Sequence, residues 1–407
     1  MKDVIVIGGG AAGLMAAISA AYIGADVLLI ERNDKCGRKL AITGKGRCNV
    51  TTACTKDEII KNIPRGGKFM YSSLNGFDNE DVMSFFKRLG VELKVERGNR
   101  VFPVSDNAHD IVNALVNEAT NLGVQIIKGR VKQLIVREKA IKGVILWDGT
   151  VINSASVILA TGGKSYPQTG STGDGYTMAK AVGHTVTPIT PSLIPLETEE
   201  GWVRELTGLS LKNTAIQIVD DNGKSLYKDF GEMLFTHYGV SGPMILSASS
   251  YVKDIQGKRL VIDLKPALDE KSLEARVMRD FEELNNKDIK NALVKLLPST
   301  LIPVIISLLG IDPQKKINQI TRDERMALVR ILKGLTCTIK GTRPIEEAII
   351  TSGGISIKEI SPSTMESKLI KGLYFAGEII DVDAYTGGFN LQVAFSTGWA
   401  AGANCLN

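Results

Sequence analysis

The sequence predicts an α/β fold in which the two ends of the chain build one domain and the middle forms an insert. Residues 4–24 read as a buried strand, a glycine turn and a helix of small residues. Residues 372–404 repeat that order at the other end of the chain. Between them, Pro188, Pro191 and Pro195 mark a change of composition. A chain of 407 residues can bury more than one core.

The first strand and turn read Val-Ile-Val-Ile-Gly-Gly-Gly-Ala-Ala-Gly. The unbroken apolar run is typical of a strand buried on both faces. Gly8 permits a tight turn, Gly10 lets the backbone approach a pyrophosphate, and Gly13 allows close packing of helix on strand. The helix that starts at Ala11 and Ala12 offers its unpaired N–H groups to the phosphates.

An acidic residue closes the second strand of this unit. The apolar run Val-Leu-Leu-Ile ends at Glu31, 18 residues beyond Gly13, and Arg32 follows. An acid at this spacing reads a ribose hydroxyl in dinucleotide-binding βαβ units. A glycine fingerprint alone is a weak signal, but its position between a strand, a helix and this acid makes it strong. These residues therefore predict a dinucleotide site.

A glycine-rich basic segment follows at residues 37–49. We predict a loop that wraps an anionic cofactor through the backbone N–H groups of its glycines and through its fixed cations. A solvated basic loop is the alternative. A nicotinamide-binding domain does not need such a loop, whereas FAD is held along its whole length. The predicted contacts are Lys39, Thr43, Gly44, Gly46, Arg47, Cys48 and Asn49.

The second half of the predicted site lies near the other end of the chain. Gly387 and Gly388 free the backbone to approach a flat ring, and a helix that starts near Leu391 aims its N–H groups at that ring. Such dipoles would stabilise negative charge on the N1 side of a reduced flavin. One extended, non-covalently bound FAD would join the two halves. The predicted contacts are Gly377, Glu378, Asp381, Gly387, Gly388, Asn390, Leu391 and Gln392.

A further buried strand at residues 157–163, Val-Ile-Leu-Ala-Thr-Gly-Gly, also ends in glycines. Its end is expected to bring the backbone to the cofactor from another side. The predicted contacts are Ala160, Thr161 and Gly162.

These motifs together resemble one group of the two-dinucleotide-binding-domain flavoproteins. The group is the aminoacetone-oxidase-like family, which includes bile-acid-inducible 3-dehydro-bile-acid reductases. The resemblance implies FAD, a glutathione-reductase-type FAD-binding Rossmann-like domain with an inserted β-barrel plus helical subdomain, and a place for Val131 beside the adenine. It does not settle the substrate. The matching stretches are Gly8–Gly13, Thr43–Asn49, Ala160–Gly163, Phe235–Pro243, Thr351–Ile357, Thr364–Lys368 and Gly372–Gly402.

Residues 170–175, Gly-Ser-Thr-Gly-Asp-Gly, form another turn before a predicted helix. The turn is similar to one in fumarate-reductase-type flavoproteins. A second phosphate site for NAD(P)H is one interpretation, but no Val/Ile strand ends just before Gly170. We therefore favour a helix cap that fixes the ring pocket.

The elements predict three regions. We expect an FAD-binding domain at residues 1–187 and 353–407, an inserted β-barrel at 188–266 and 335–352, and a helical subdomain at 267–334. A strand returns at 335–340 after four helices, so the helices should be inserted within the barrel.

Composition and charge limit the kinds of binding partner that we expect for this chain. The net charge is +5, from 49 basic and 44 acidic residues, and no Lys/Arg run is interleaved with aromatics, so nucleic acid is not expected. The longest apolar run, at residues 301–310, is too short to span a bilayer and contains Pro303. The chain begins directly with a strand, so we expect a cytoplasmic protein without a signal peptide. We expect a monomer or homodimer.

Cysteine and histidine usage argues against two kinds of chemistry. The five cysteines form no Cys-x-x-Cys pair, so a redox disulfide beside the flavin is not expected. Cys48 is interpreted as a small packing residue rather than a nucleophile. The three histidines lie singly along the chain, so no metal site is expected.

The candidate catalytic residues are His237, Tyr238 and Tyr385, which are expected around a substrate face between the ring-end glycines and the insert. His237 and Tyr238 are expected in a loop of the insert at residues 235–243. His237 and Tyr238 are candidate proton donors, because an enone that accepts a hydride at one carbon needs a proton at its neighbour. A histidine whose ring only bonds to backbone groups is the alternative. Tyr385 and Asn390 could orient the substrate.

Three functions stay open from the sequence. The first is an NAD(P)H-dependent reductase of a steroid-like or bile-acid-like enone, with a small-molecule substrate. The second is an oxidase of small amines such as aminoacetone. The third is a non-catalytic or RNA-associated flavoprotein. Because no second complete glycine fingerprint is present, NAD(P)H is expected to bind transiently.

Overall fold

The computed structural model describes residues 1–252 and 254–406, which form two compact units. The first unit comprises Met1–Ser192 and Ile345–Asn407, and the second comprises Leu193–Pro344. Each unit has its own hydrophobic core.

The described residues form helices and strands in alternation along much of the chain. The helices are α1 (Ala11–Tyr22), α2 (Arg38–Gly46), α3 (Lys56–Lys61), α4 (Tyr71–Gly76), α5 (Asn79–Arg88), α6 (Ala108–Asn121), α7 (Asp174–Ala181), α8 (Trp202–Glu205), α9 (Pro243–Tyr251), α10 (Glu270–Glu283), α11 (Ile289–Ala292), α12 (Leu301–Leu309), α13 (Arg322–Lys333) and α14 (Phe389–Ala403). The strands are β1 (Lys2–Ile7), β2 (Val27–Glu31), β3 (Thr51–Thr52), β4 (Leu93–Glu96), β5 (Arg100–Pro103), β6 (Gln125–Lys128), β7 (Val131–Arg137), β8 (Ala140–Leu146), β9 (Val151–Leu159), β10 (Thr190–Ser192), β11 (Leu196–Thr198), β12 (Ser210–Val219), β13 (Ser225–Thr236), β14 (Gly239–Ser241), β15 (Arg259–Asp263), β16 (Leu335–Thr342), β17 (Ile350–Ser352) and β18 (Leu373–Phe375).

A parallel sheet lies at the centre of the first unit. β1 pairs with β2 on one side and with β9 on the other, and β6 and β18 extend the parallel pairing. Val4, Ile5 and Val6 are all fully buried. Because successive side chains of a strand point to opposite faces, both faces of this sheet are covered. The predicted α/β fold with its first βαβ unit is confirmed.

β9 is one strand of nine residues, so the strand predicted at residues 157–163 begins earlier, at Val151, and ends at Leu159. Polar residues in the middle of β9 hide its full length in the sequence. The Ser154 hydroxyl donates to the carbonyl oxygens of Asp3 at 3.0 Å and Ser156 at 2.8 Å, which satisfies it inside the sheet. The first half of β9 pairs with β8, and the second half pairs with β1 and β18.

The first and last helices of the chain pack closely against each other. A Cβ atom built on Gly398 would lie 2.4 Å from the carbonyl oxygen of Ala12, and one on Gly402 would lie 2.3 Å from that of Ala16. The Ser19 hydroxyl also donates to a carbonyl oxygen of α14 at 2.9 Å. Only glycine allows this approach, so the contact with α1 requires glycine at positions 398 and 402 of α14.

The second unit is a closed antiparallel barrel with strand order β11-β14-β13-β12-β15-β16. The helices α10 to α13 lie between β15 and β16 in the chain, which confirms that a helical segment is inserted within the barrel. β12 and β13 are joined by a hairpin turn, in which the N–H of Gly223 donates to the carbonyl of Asp220 at 3.0 Å. Within the described part of the chain, no helix is long and apolar enough to cross a membrane.

Candidate functional site

The turn after β1 uses its glycines in two different ways. The N–H of Gly8 donates to the carbonyl of Ile30 at 2.9 Å, and Gly8 has a φ of +104°, which favours glycine. A Cβ atom on Gly13 would lie 1.8 Å from the carbonyl oxygen of Gly8. A Cβ atom on Gly10 would meet no described atom within 4 Å. Gly8 and Gly13 are therefore required by the fold, whereas Gly10 borders open space.

Glu31 is held rigidly at the end of β2. One carboxylate oxygen accepts from the N–H of Gly9 at 2.7 Å, and the other accepts from the backbone and side-chain nitrogens of Asn33 at 2.8 and 2.7 Å. The oxygen that accepts from Gly9 keeps a lone pair for a further donor, whereas the other oxygen already accepts two hydrogen bonds. The neighbouring Arg32 donates to the Thr172 hydroxyl at 2.6 Å.

The segment predicted as a wrapping loop is partly helical, so that prediction is wrong in part. α2 begins at Arg38, and the chain leaves helical geometry at Thr43 and Gly44. Sequence inspection missed the helix because the three glycines of the segment argue against one. Gly46 is exposed, and a Cβ atom there would meet no described atom within 4 Å, so Gly46 borders open space. Cβ atoms on Gly37 and Gly44 would instead lie 2.6 Å from Val112 and 3.1 Å from the backbone nitrogen of Asn49.

Arg47 is engaged by two acids of its own unit. Its guanidinium donates to Glu96 at 3.3 Å and to Asp106 at 2.6 and 2.9 Å, and it lies 4.2 Å from the centre of the Phe102 ring. This pairing lowers the pKa of the Glu96 carboxyl. The arrangement ties α2 to β4 and β5, a contact for which the sequence gives no signal.

Lys39 joins the N-terminal motif to the C-terminal segment of the first unit. Its ammonium donates to Ser165 at 2.6 Å and to Glu378 at 2.7 Å. Glu378 also accepts from the backbone N–H of Thr351 at 2.8 Å. The ammonium has three N–H bonds, so one is left for a ligand.

Two buried polar atoms in the predicted cofactor-binding stretches lack a partner within residues 1–252 and 254–406. They are the side-chain oxygens of Asn49 and Thr161. Buried polar groups are normally hydrogen-bonded, so each favours a ligand that completes it. With the open space at Gly10 and Gly46, these orphaned atoms show that the residues present fit an FAD. Val131 and Ala160 are buried, and Gly162 has a φ of +71°.

The C-terminal segment turns at Gly387 and Gly388, which caps α14 with a φ of +97°. The Asn390 amide bonds to the backbone of its own loop, accepting from the N–H of Ala384 at 3.0 Å and donating to the carbonyls of Ala384 at 2.8 Å and Tyr385 at 3.2 Å. The side chain therefore fixes the loop that carries Tyr385. Leu391 is half-buried in the first turn of α14.

Gln392 is fully buried and its amide is engaged inside the protein. It accepts from the Thr51 hydroxyl at 2.5 Å and donates to Ser396 at 2.9 Å and to the carbonyl of Phe77 at 3.3 Å. We therefore expect any cofactor contact of Gln392 to come from its backbone. Gly377, which packs against Ala12, donates its N–H to Thr397 at 2.9 Å.

Sequence inspection missed Asp383, a second acid that lies near the predicted contact Asp381 and two residues before Tyr385. Arg65 forms an ion pair with Asp381, with a further contact of 3.2 Å between the guanidinium and the second carboxylate oxygen. Asp383 is only 4% exposed and accepts from the Ser192 hydroxyl at 3.3 Å. Burial raises the pKa of Asp383 to about 6, and the nearby charge of Asp381 also raises it. Arg65 and the hydroxyls of Ser192 and Ser352 lower the pKa, but by less than burial raises it.

We expect Asp383→Asn to remove a pH-dependent loss of stability. Because the folded pKa of about 6 lies above the usual value of about 3.9, folding favours the protonated acid. The stabilisation is complete below about pH 4 and is lost as pH rises through 6. The difference is worth about 3 kcal/mol. Urea unfolding at pH 4 and pH 7 measures this difference. Between these pH values, the unfolding free energy of the wild type should fall by about this amount more than that of the variant.

The exposed Asp254→Asn serves as the matched control for this experiment, since it makes the same chemical change at the surface. Its unfolding free energy should follow wild type at both pH values. If Asp383→Asn also followed wild type, the buried acid would not be the source of the pH dependence.

His237 and Tyr238 lie in the second unit, at the tip of a hairpin between β13 and β14. The segment that contains them, predicted as a loop, is therefore two paired strands followed by α9, because Phe235 and Val240 form a cross-strand pair. The two rings lie 4.8 Å apart, and the Arg343 guanidinium lies 4.6 Å from the centre of the Tyr238 ring. His237 is exposed and Tyr238 half-buried. Tyr385 belongs to the first unit.

All five cysteines are free. Cys48 is fully buried, and burial raises the pKa of its thiol to about 12, which keeps it protonated at neutral pH. Within the ranges that the structure describes, no three His, Cys, Asp or Glu side chains gather into a group that could hold a metal.

The model of one protein family, described as the HI0933-like protein Rossmann domain, matches residues 2–404 of this chain. The chain is 31% identical to the 3-dehydro-bile acid delta(4,6)-reductase of Clostridium scindens over an alignment of 410 positions, which covers 99% of this chain and 98% of that one. It is also 31% identical to the ribosomal RNA dihydrouridine synthase of Escherichia coli, with the same shares of the two chains covered.

Among solved structures, the 3-ketosteroid delta1-dehydrogenase of Sterolibacterium denitrificans in complex with 1,4-androstadiene-3,17-dione resembles this fold. The alignment covers 98% of each chain with a TM-score of 0.53 and 13% identity. At this identity the likeness concerns the fold, and it supports an α/β domain that carries a large insert.

Proposed function

Because the chain belongs to the HI0933-like family of Rossmann-domain proteins and is an FAD-dependent oxidoreductase, we propose that it reduces a carbon–carbon double bond conjugated to a carbonyl group. We place a steroid-like or bile-acid-like enone first as substrate and NAD(P)H as the electron donor. The observation that carries the proposal is the reaction type shared by the names of two relatives that match nearly the whole chain.

The two named substrates have the same reactive group. A 3-oxo bile acid with double bonds at positions 4 and 6 is an extended enone, and the uracil ring has a double bond conjugated to its carbonyl. Reduction of the double bond next to the carbonyl, in either substrate, places a hydride on the carbon β to the carbonyl and a proton on the carbon α to it. Bound FAD would supply the hydride chemistry.

The chain's own residues then have three tasks. Tyr238 carries a phenol and His237 an imidazole, both groups that can deliver a proton at the α carbon. Tyr385 is the candidate for orienting the substrate. Asn390 acts on Tyr385 through the backbone contacts of its amide, so we assign it a positioning role.

Uridine in RNA is the second candidate substrate. The ribosomal RNA dihydrouridine synthases of Escherichia coli and Haemophilus influenzae are 31% and 32% identical to this chain. The mild net charge of +5 favours a small molecule over RNA, since RNA-binding surfaces are usually strongly basic.

An anaerobic experiment tests the proposal. The purified FAD-loaded protein is mixed with NADPH or NADH, and the flavin absorbance is followed. We expect NADPH or NADH to bleach the flavin. The flavin absorbance should then recover when a 3-oxo-4,6-diene bile acid is added, and the bile acid should be recovered in a reduced form. A saturated 3-oxo bile acid is the matched control and should leave the flavin bleached.

Other outcomes would replace the proposal. Recovery of colour only with a uridine-containing ribosomal RNA fragment would move the substrate to the second candidate. Bleaching by aminoacetone, with none by either nicotinamide nucleotide, would make the protein an amine oxidase.

A further inference from the structure

A cavity of about 180 Å³ lies beside α7 in the first unit. Its apolar wall consists of Val186 and Ile189, and Tyr176 lies beneath it. The exposed residues Lys164 and Lys180 stand at its rim, so the cavity opens to solvent. It coincides with the glycine turn at residues 170–175, which the proposed reaction leaves without a role.

The charges around this cavity favour an anion. Within the part of the chain that the structure describes, neither lysine ammonium has an ion-pair or hydrogen-bond partner. Asp174 also lines the cavity, but Arg130 contacts its carboxylate at 2.9 and 3.2 Å and Arg32 contacts it at 3.4 Å. The acid is therefore neutralised by other residues, and the two lysines remain as uncompensated positive charge.

Gly173 shapes the turn at this cavity. α7 begins at the cavity, and its N-terminal residue is preceded by Gly173, which provides no side-chain cap. Asp174 in the first turn of α7 and Lys180 in its last turn both line the cavity, which therefore runs along the side of the helix. A Cβ atom on Gly173 would lie 2.7 Å from the Lys164 stem, so the glycine lets that lysine lie along the turn.

The cavity is close to the predicted cofactor-binding stretch. A Cβ atom on Gly175 in the first turn of α7 would lie 2.1 Å from the hydroxyl oxygen of Thr161, and one on Gly162 would lie 3.1 Å from that of Ser171. The wall of the cavity thus packs directly on residues 160–162. A ligand held here would lie one layer of residues from those that fit an FAD.

We propose that this cavity binds the phosphate-bearing adenosine end of NADPH. Pockets that enclose a drug-sized ligand have volumes of roughly 300–1,000 Å³. The smaller cavity suits one end of a dinucleotide, and the rest of the molecule would reach outward along the surface. Two free lysines match the charge of a 2′-phosphate, which NADH lacks. The inference rests on the proposed function for the identity of the donor.

This site is different from a second Rossmann motif. β9 ends at Leu159, and a short 3-10 turn at Pro167–Thr169 precedes the glycine turn. No strand therefore leads into α7, as the sequence indicates. The phosphate would be held by two side-chain cations beside α7, which suits a nucleotide that binds and leaves in each cycle.

Direct binding tests the site without relying on turnover. The probe is adenosine 2′,5′-bisphosphate, titrated calorimetrically into the FAD-loaded protein. We expect wild type to bind it and Lys164→Ala/Lys180→Ala to bind it at least roughly tenfold more weakly. The control Lys87→Ala/Lys142→Ala removes two exposed lysines from the same unit and should bind as wild type does. Equal affinity in all three proteins, or no binding to wild type, would overturn the proposal.

Anaerobic flavin reduction separates the site from the donor. In the Lys164/Lys180 variant, the NADPH concentration for half-maximal reduction should rise roughly tenfold, with the limiting rate unchanged and the NADH dependence less affected. If neither nucleotide reduced wild type but the bisphosphate bound through the two lysines, the phosphate site would stand and the donor assignment would fail. If NADPH reduced the variant at wild-type concentrations, the site would be excluded.

Discussion

Gly10→Ala is expected to fold as stably as the wild type and to lose most of its FAD. Gly10 has a φ of −83°, which alanine adopts freely, and its added methyl group would meet no described protein atom within 4 Å. The space it enters is where the pyrophosphate is predicted to lie. Overpacking costs about 1–3 kcal/mol, which corresponds to a roughly 5- to 150-fold loss of FAD affinity. Flavin bound per chain, measured by absorbance after purification, gives the result.

Two further variants separate cofactor binding from folding. Gly13→Ala places a methyl group 1.8 Å from the carbonyl oxygen of Gly8, so we expect the apoprotein itself to lose about 3 kcal/mol or more of unfolding free energy. Gly201→Ala changes a surface glycine with open space around it, and should alter neither property. Retention of FAD at wild-type affinity by Gly10→Ala would show that Gly10 does not border the cofactor.

Tyr238→Phe is expected to slow reduction of the enone by roughly 10²- to 10⁴-fold, the usual contribution of a positioned general acid. The substitution keeps the ring that packs under Arg343, so the hairpin should remain intact. Reduction of the flavin by NADPH does not need this proton, and its rate should be unchanged. Stopped-flow measurement of the two half-reactions separates these steps.

His237→Gln provides the comparison, because both groups stand at the same hairpin tip. The residue whose loss slows only the reoxidation of flavin by the enone is the proton donor. If both variants reoxidise within a few-fold of wild type, the proton comes from another group or from water. Tyr385→Phe would then be the next variant to measure.

Much of the fold could be predicted because its signals are local. The glycine fingerprint depends on neighbouring residues, and the structure has the tight turn at Gly8 and the close approach of helix and turn at Gly13 that the spacing predicts. The insertion of helices within the barrel also follows from element order alone. Such features need no knowledge of which distant residues meet.

The parts that escaped prediction depend on distant partners. Lys39 and Glu378 are separated by 339 positions, so no local pattern reveals their contact. The raised pKa of Asp383 likewise arises from burial that only the folded chain creates. The hairpin at His237 was missed because its glycines and proline outweighed a short cross-strand pairing.

The contact between α1 and α14 has a consequence for the order in which the chain folds on the ribosome. Gly398 of α14 packs on Ala12 of α1. The face of α1, which is made early in synthesis, therefore stays uncovered until α14 has been made. The barrel and its helices are contiguous at residues 193–344 and complete their pairing earlier in synthesis. Contacts between such distant positions are slow to form. The nascent protein therefore carries a finished insert while its first unit is still open, and α14 closes that unit only once this helix has left the ribosome.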